Sequence, residues 1–331
     1  MNSTVDMKKI LFTILAAVLS VAFQAKSDAA IVIEPTSTYL YAQKDSSSLY
    51  LDIYEPAEGS VTEIDGIRKP TVIFIFGGGF VQGRRDDDYF NEWFKDMTDA
   101  GYRIVSIDYR LGLKSVVQNG GKISLKFIGL LQDAMDIAVE DLFTATNFII
   151  DNADVLGIDP DNLVISGSSA GAMTSLQAEW EICNGLENAT VLPEGFNYAG
   201  VMSFSGAIFS DKGSIKYTQK RPCPMLIFHG TKDMVVPYGK IQAFNLCFAG
   251  SDAISKALKK GGLDYAIYRC KDHGHEVAGS MHRFTGQEFN FLETAVMKGE
   301  SVSMDILYDS TEYPVAEDWA KKSFFNLFKT K

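Results

Sequence analysis

A serine hydroxyl is a weak nucleophile. To attack a carbonyl carbon it needs a base that takes its proton and an acid that orients the base. The chain carries one stretch built to present such a serine, Gly167-Ser168-Ser169-Ala170-Gly171, which fits the spacing G-x-S-x-G. Ser169 is centred on the pattern, whereas Ser168 is flanked two residues away by Ser166 and Ala170. The pattern describes a turn between strand and helix so tight that the residues two before and two after the serine nearly touch, and glycine alone fits comfortably there. The turn lifts the hydroxyl above the sheet and sets it at a helix N-terminus, whose free N–H groups favour developing negative charge.

The base can be sought by elimination, because the chain has only four histidines. His229 directly follows an apolar run and reads as a packed residue shaping its turn. His282 stands at the start of the last helical stretch and reads as a surface residue or as one that backs the site without taking part in it. His273 and His275 lie in Lys271-Asp272-His273-Gly274-His275-Glu276, after the last apolar run of the repeating pattern. Such a loop at the carboxyl edge of a parallel sheet can hang a side chain over the elbow. His275 is favoured over His273, since Gly274 before it allows a sharp turn. A His-x-His metal pair is the competing reading, but no third ligand stands out.

For the acid, Asp233 lies five residues past the end of the Phe228 run, in the matching loop of a neighbouring strand. Asp108 is the rival. It precedes the serine and reads as a structural carboxylate paired with Arg110, while Asp272 is too close to His275 along the chain to orient it. Carbonyl chemistry also needs donors aimed at the oxyanion. Gly77-Gly78-Gly79 ends a buried run with unobstructed amides, where glycine otherwise costs stability, and Ala170 adds one from the elbow.

These residues need elements to hold them. Tyr39-Leu40-Tyr41 and Leu49 to Tyr54 alternate about a polar turn, a hairpin with one buried face. Thr71 to Phe76, Arg103 to Asp108, Asn162 to Ile165, Gly200 to Phe204, Met225 to Phe228 and Tyr265 to Arg269 read as strands. Helical spacing appears in Asp88–Ala100, in a stretch holding Ala134, Ile137, Ala138, Leu142, Ala145, Phe148 and Ile149, after Ser169, over Ile241–Lys259 and over Met281–Met297. Residues 109–126 read as an irregular loop. Strands alternating with helices after an N-terminal antiparallel hairpin give an α/β fold with a mostly parallel sheet.

The 331 residues carry a formal charge of −11 and 46% apolar residues. The pI is near 4.9 and the mean hydropathy zero. That balance argues against nucleic acid and anionic membrane as partners. Lys8-Lys9, an apolar stretch from Ile10 to Phe23 and small residues after it read as a signal peptide over 1–29, too short for a membrane span, implying a periplasmic or secreted protein. Cys183, Cys223, Cys247 and Cys270 are too few for a disulfide scaffold; an exported chain can pair some of them, in three complete ways.

The chain resembles the α/β-hydrolase superfamily, specifically carboxylesterases of the type-B and hormone-sensitive-lipase-like groups. The motifs are Gly77-Gly78-Gly79-Phe80 with Gly83, Val105 to Leu111, Gly157 to Asn162, Gly167 to Gly171, and Asp233 with His275, which together span about residues 37–298. The resemblance implies an eight-stranded sheet, an oxyanion hole at Gly78, Gly79 and Ala170, Ser169, Asp233 and His275 as catalytic residues, and no cofactor or metal. Two departures stand out. Phe76 occupies the place of the usual histidine before the glycine triplet, so that support must come from elsewhere. The short interval from Ser169 to Asp233 leaves room for little or no cap.

The expectation is then a signal peptide (1–29), an α/β-hydrolase catalytic domain (31–300) and a C-terminal extension (301–331) carrying Trp319 and a Phe324-Phe325…Phe328 cluster. The expected activity is hydrolysis of short acyl or hydroxycinnamoyl esters through an acyl-enzyme, with acetyl or feruloyl esters of plant polysaccharide as candidates. A serine peptidase of the same fold and a non-catalytic binding protein on that fold are the rival readings.

Overall fold

The strongest apolar runs stand at the middle of the sheet, where both faces must be covered. In the computed structural model, which describes residues 31–118, 125–316 and 318, strands β3 (Thr71–Ile75), β5 (Leu163–Ser168), β6 (Gly200–Phe204) and β7 (Met225–Gly230) are buried at every position. Around them run β1 (Ser37–Lys44), β2 (Ser47–Tyr54), β4 (Arg103–Ile107), β8 (Tyr265–Cys270) and β9 (Ser303–Tyr308). The nine form one sheet in the order β1-β2-β4-β3-β5-β6-β7-β8-β9. β1 pairs antiparallel with β2, and β2 with β4; all other pairings are parallel.

The expected eight strands are all present, and β9 adds a ninth from the C-terminal extension. It pairs with β8 in register from Tyr265↔Ser303 to Cys270↔Tyr308, and Arg269 of β8 reaches across to Asp305. The signal-peptide segment and the Trp319/Phe324/Phe325/Phe328 cluster lie outside the described residues.

Helices α1 (Asn91–Asp99), α2 (Leu125–Asp151), α3 (Ala170–Asn184), α4 (Ser251–Gly261) and α5 (Thr285–Phe291) cover the sheet. α2 buries Ala134, Ala138, Leu142, Ala145 and Ile149, the apolar face expected from its spacing. The stretch expected as an irregular loop contains a short helix, Lys114–Gln118, and the first two residues of α2.

One expected helix is largely something else. Residues 241–250 form an antiparallel pair, Lys240–Ala243 with Leu246–Gly250, and helix starts only at Ser251. Cys247 and Ala249 alternate inward at period two, and the second strand also pairs with Ala207–Ser210. This three-stranded sheet grows from the segments that follow β6 and β7, so it stands on the carboxyl side of the main sheet. It is small, in keeping with the expected slight cap.

Candidate active site

At the elbow, the chain turns from β5 into α3 with Ser169 at φ 52° and ψ −114°, a region that side chains other than glycine's rarely occupy. The flanking glycines are there for space. A Cβ on Gly167 would stand 2.3 Å from the carbonyl carbon of Gly171, and one on Gly171 would stand 1.9 Å from the oxygen of Ile75. The Ser169 amide donates to the Phe204 carbonyl at 2.9 Å, which fixes the turn against β6.

The side chain of Ser169 lies 2.8 Å from His275 Nε2, and His275 Nδ1 lies 2.7 Å from Asp233 Oδ2. With the Nδ1–H donating to the carboxylate, Nε2 is left to accept the serine proton. Residues separated by more than a hundred positions in sequence thus form one continuous run of hydrogen bonds at the carboxyl edge of the sheet. Gly230 makes room for it: a Cβ there would stand 2.2 Å from Gly274 O and 2.4 Å from His273 O, so the two loops pack backbone to backbone.

Asp233 is held on both oxygens. Oδ1 accepts the amides of Val235 (2.9 Å) and Val236 (3.0 Å). Oδ2 faces His275 and also stands 3.3 Å from Nε2 of the buried His229. Burial alone would raise the Asp233 carboxyl, but the charge and hydrogen bonds of His275 and His229 outweigh it and hold the group well below the ordinary carboxylate range. It is therefore an anion near neutral pH, as an orienting acid must be. His229 is the packed histidine its position announced, 2.6 Å from Ser251 Oγ and 3.0 Å from the Val236 carbonyl. Its contact with Asp233 was not foreseen; the four-residue spacing across a strand-end turn was the available signal.

The other titratable groups take the bystander roles expected of them, with one exchange of partners. His273 is engaged by Glu276 at 2.9 Å and stacks on Tyr313. Asp108 is structural, but it pairs with Arg85 (2.9 Å) and the Tyr50 amide (3.2 Å). Arg110, its expected partner, instead binds Asp141 and Glu140 of α2 at 2.8 and 2.7 Å. All four cysteines are free and buried. Among the described residues no group of His, Cys, Asp and Glu is arranged to hold a metal ion.

The glycine triplet runs beside the elbow. A Cβ on Gly77 would meet Ser168 O at 3.0 Å and Ser169 Cβ at 3.4 Å. Gly78 (φ 115°) and Gly79 (φ 66°) both take left-handed backbone. The Gly78 carbonyl turns back to accept Val81 N and Gln82 N. Among the loop hydrogen bonds of the described residues none uses the amides of Gly78 or Gly79, and the amide of Ala170, first in α3, has no acceptor within its helix. Phe76, which replaces the expected histidine, stacks on Tyr109 (ring centroids 4.4 Å apart). The Tyr109 hydroxyl donates to the Phe76 carbonyl at 2.9 Å, so Tyr109 supplies the support that the sequence left unassigned.

Known proteins share sequence and fold with this chain. The chain is 29% identical over 171 residues to Lipase 1 of Geotrichum candidum, 51% of this chain and 27% of that one. It is 33% identical over 129 residues to Carboxylesterase 1E of Rattus norvegicus (39% and 20%), and 27% identical over 158 residues to Neuroligin-2 of Mus musculus (42% and 17%). The chain thus matches about a quarter or less of the length of these curated relatives. A butyrate-bound esterase of Thermogutta terrifontis superposes with a TM-score of 0.54 at 20% identity, over 78% of this chain and 93% of that one, which shows a shared fold. The model of the carboxylesterase family matches residues 22–195, from before the first strand through the glycine loop and the Ser169 elbow. On a match that covers more than half of its length, and that takes in the turn on which the site is built, this chain belongs to the carboxylesterase family.

Proposed function

We propose that the protein is a serine carboxylic ester hydrolase that works through an acyl-serine. His275 Nε2 takes the Ser169 proton as Oγ attacks the ester carbonyl, and Asp233 stabilises the imidazolium so formed. The amides of Gly78, Gly79 and Ala170 receive the oxyanion. Collapse expels the alcohol, protonated by His275, and leaves the acyl group on Ser169. A water then gives its proton to His275 as it attacks the acyl carbonyl; collapse breaks the acyl–Oγ bond, returns that proton from His275 to Ser169 and releases the acid. The observation that carries this reading is the unbroken Ser169–His275–Asp233 run at 2.8 and 2.7 Å.

The small three-stranded sheet after β6 and β7 supports an open site, and we place the substrates among short acyl or hydroxycinnamoyl esters, including acetyl or feruloyl esters of plant polysaccharide. The basic-then-apolar segment at 1–29 supports export, which N-terminal sequencing of protein made in a secreting host would check. The central test is labelling with a fluorophosphonate, followed by peptide mapping. Modification at Ser169 is expected, with turnover of 4-nitrophenyl acetate lost on the order of 10⁶-fold in Ser169→Ala. An unlabelled wild type, or a Ser169→Ala variant with near-native rates, overturns the assignment. Acetylated xylan and feruloylated oligosaccharide assayed in parallel decide the substrate class.

A further inference from the structure

The loop that carries His275 is braced by residues the reaction itself does not use. From the elbow, the buried Ser168 hydroxyl, one residue before Ser169, donates to the Ala278 carbonyl at 2.7 Å. Within the loop, the two Glu276 oxygens face the Gly274 amide and His273 Nδ1, both at 2.9 Å, which closes the turn on either side of His275. The third brace comes from the C-terminal extension. Tyr313, 7% exposed, lies flat on the His273 imidazole with ring centroids 4.1 Å apart and planes 16° apart. Its hydroxyl meets Ser280 Oγ at 2.7 Å, and Ser280 in turn donates to the Glu276 carbonyl at 2.9 Å.

Tyr313 thus holds both ends of the loop, His273 through its ring and Ser280 through its hydroxyl. It is itself anchored by β9, whose pairing with β8 fixes where the chain emerges at Tyr308, and by Phe284 and Arg283, whose ring and guanidinium stand 5.7 and 5.4 Å from its centroid. A base must sit within a few tenths of an ångström of its working position, and a loop secures that only through the residues around it.

We propose that Tyr313 is a positioning residue for His275, so that the segment beyond residue 300 completes the active site. The inference rests on the ester-hydrolase reading. It is tested on the full chain with 4-nitrophenyl acetate, measuring kcat and KM separately, together with fluorophosphonate labelling rates and urea midpoints. The variants are Tyr313→Leu, Tyr313→Phe, Ser280→Ala and the Tyr313→Phe/Ser280→Ala pair.

Tyr313→Leu removes stack and hydroxyl, and is expected to lower kcat by about tenfold or more with KM within about twofold. Tyr313→Phe keeps the stack and should recover part of that loss. Tyr313→Phe should lower kcat about threefold, and Ser280→Ala, which also releases the Glu276 carbonyl, at least as much; the pair should lose no more than Ser280→Ala alone, because the Tyr313–Ser280 bond is already gone in each single variant. If Tyr313→Leu does not fold, these milder variants decide. A loss in KM alone, additive losses in the pair, or wild-type kcat throughout overturns the inference. A wild type inert to both ester and phosphonate overturns the hydrolase reading and this inference with it; an active wild type indifferent to the substitutions overturns the inference alone.

Discussion

Asp233 has each carboxylate oxygen committed, Oδ1 to two backbone amides and Oδ2 to the imidazoles of His275 and His229. Asparagine has nearly the same shape, and its oxygen can keep the amide bonds. Its NH₂ group would then face His275 Nδ1, which must switch to the acceptor tautomer and place its proton on Nε2, towards Ser169. We expect Asp233→Asn to fold and to lose turnover about 10⁴-fold, as a wrong tautomer does elsewhere, read from kcat on 4-nitrophenyl acetate. The same carboxylate sets an acid limit on stability. Its folded-state pKa is depressed, so the unfolded chain binds the proton more tightly. Its contribution is therefore present above the ordinary value of about 3.9 and is lost as the pH falls below that, towards the folded-state value. Urea midpoints from pH 5 down to 2 should fall more steeply for wild type than for Asp233→Asn, and parallel curves would contradict this.

The elbow and the glycine loop beside it carry glycines that can be told apart by what surrounds them. Alanine at Gly171 drives a Cβ to 1.9 Å from the Ile75 carbonyl oxygen, whereas alanine at Gly79 meets nothing within 4 Å and bears only the cost of its φ of 66°. We expect Gly171→Ala to cost about 3 kcal/mol or more and Gly79→Ala about 1–2 kcal/mol, measured by urea unfolding. Helices α1 and α5 carry a different device. Trp93 Nε1 donates to Glu288 Oε2 at 2.9 Å, and burial pushes Glu288 up to about 8 against the pull of that bond. The folded state holds a proton that the unfolded chain releases near 4.3, so stability falls as the pH rises from about 4.3 to 8. Glu288→Gln, which keeps an acceptor for Trp93, should flatten that fall in a pH series of melting temperatures.

Elements that demand one residue type could be read without coordinates. The elbow was legible because only glycine fits at 167 and 171, and β3 and β5 because a doubly covered strand must be apolar throughout. The pair at 240–250 was not. Its turn bears Phe244 at φ 54° with no glycine, and its apolar residues also satisfy helical spacing over so short a run. Strand β9 escaped for a related reason: it is half exposed, with Asp305 in its middle, and its alternation shows only once β8 is beside it. The Asp108–Arg85 pairing depends on how the loop after the glycine triplet folds back, which local sequence does not encode.

At the scale of the whole molecule, the four thiols lie inside the core, with Cys183, Cys247 and Cys270 fully inaccessible and Cys223 6% exposed. Ellman's reagent should therefore find almost no thiol in the native protein and four after denaturation, even when the protein is purified from an oxidising compartment; two or fewer would reveal a disulfide. Among the described residues no helix is long and apolar enough to cross a membrane. The sheet ends on β9, whose solvent side carries Ser303, Asp305 and Leu307, and whose charged neighbours Arg269 and Lys271 are tied to Asp305 and Asp309. That strand is a guard rail. Cut the chain after residue 300, and the six residues from Tyr265 to Cys270, nearly all apolar, would present an unmet ladder of peptide groups to the solvent. Such a rim invites a neighbouring molecule to add its own strand, so the shortened protein should scatter light increasingly with concentration while the full-length one stays clear.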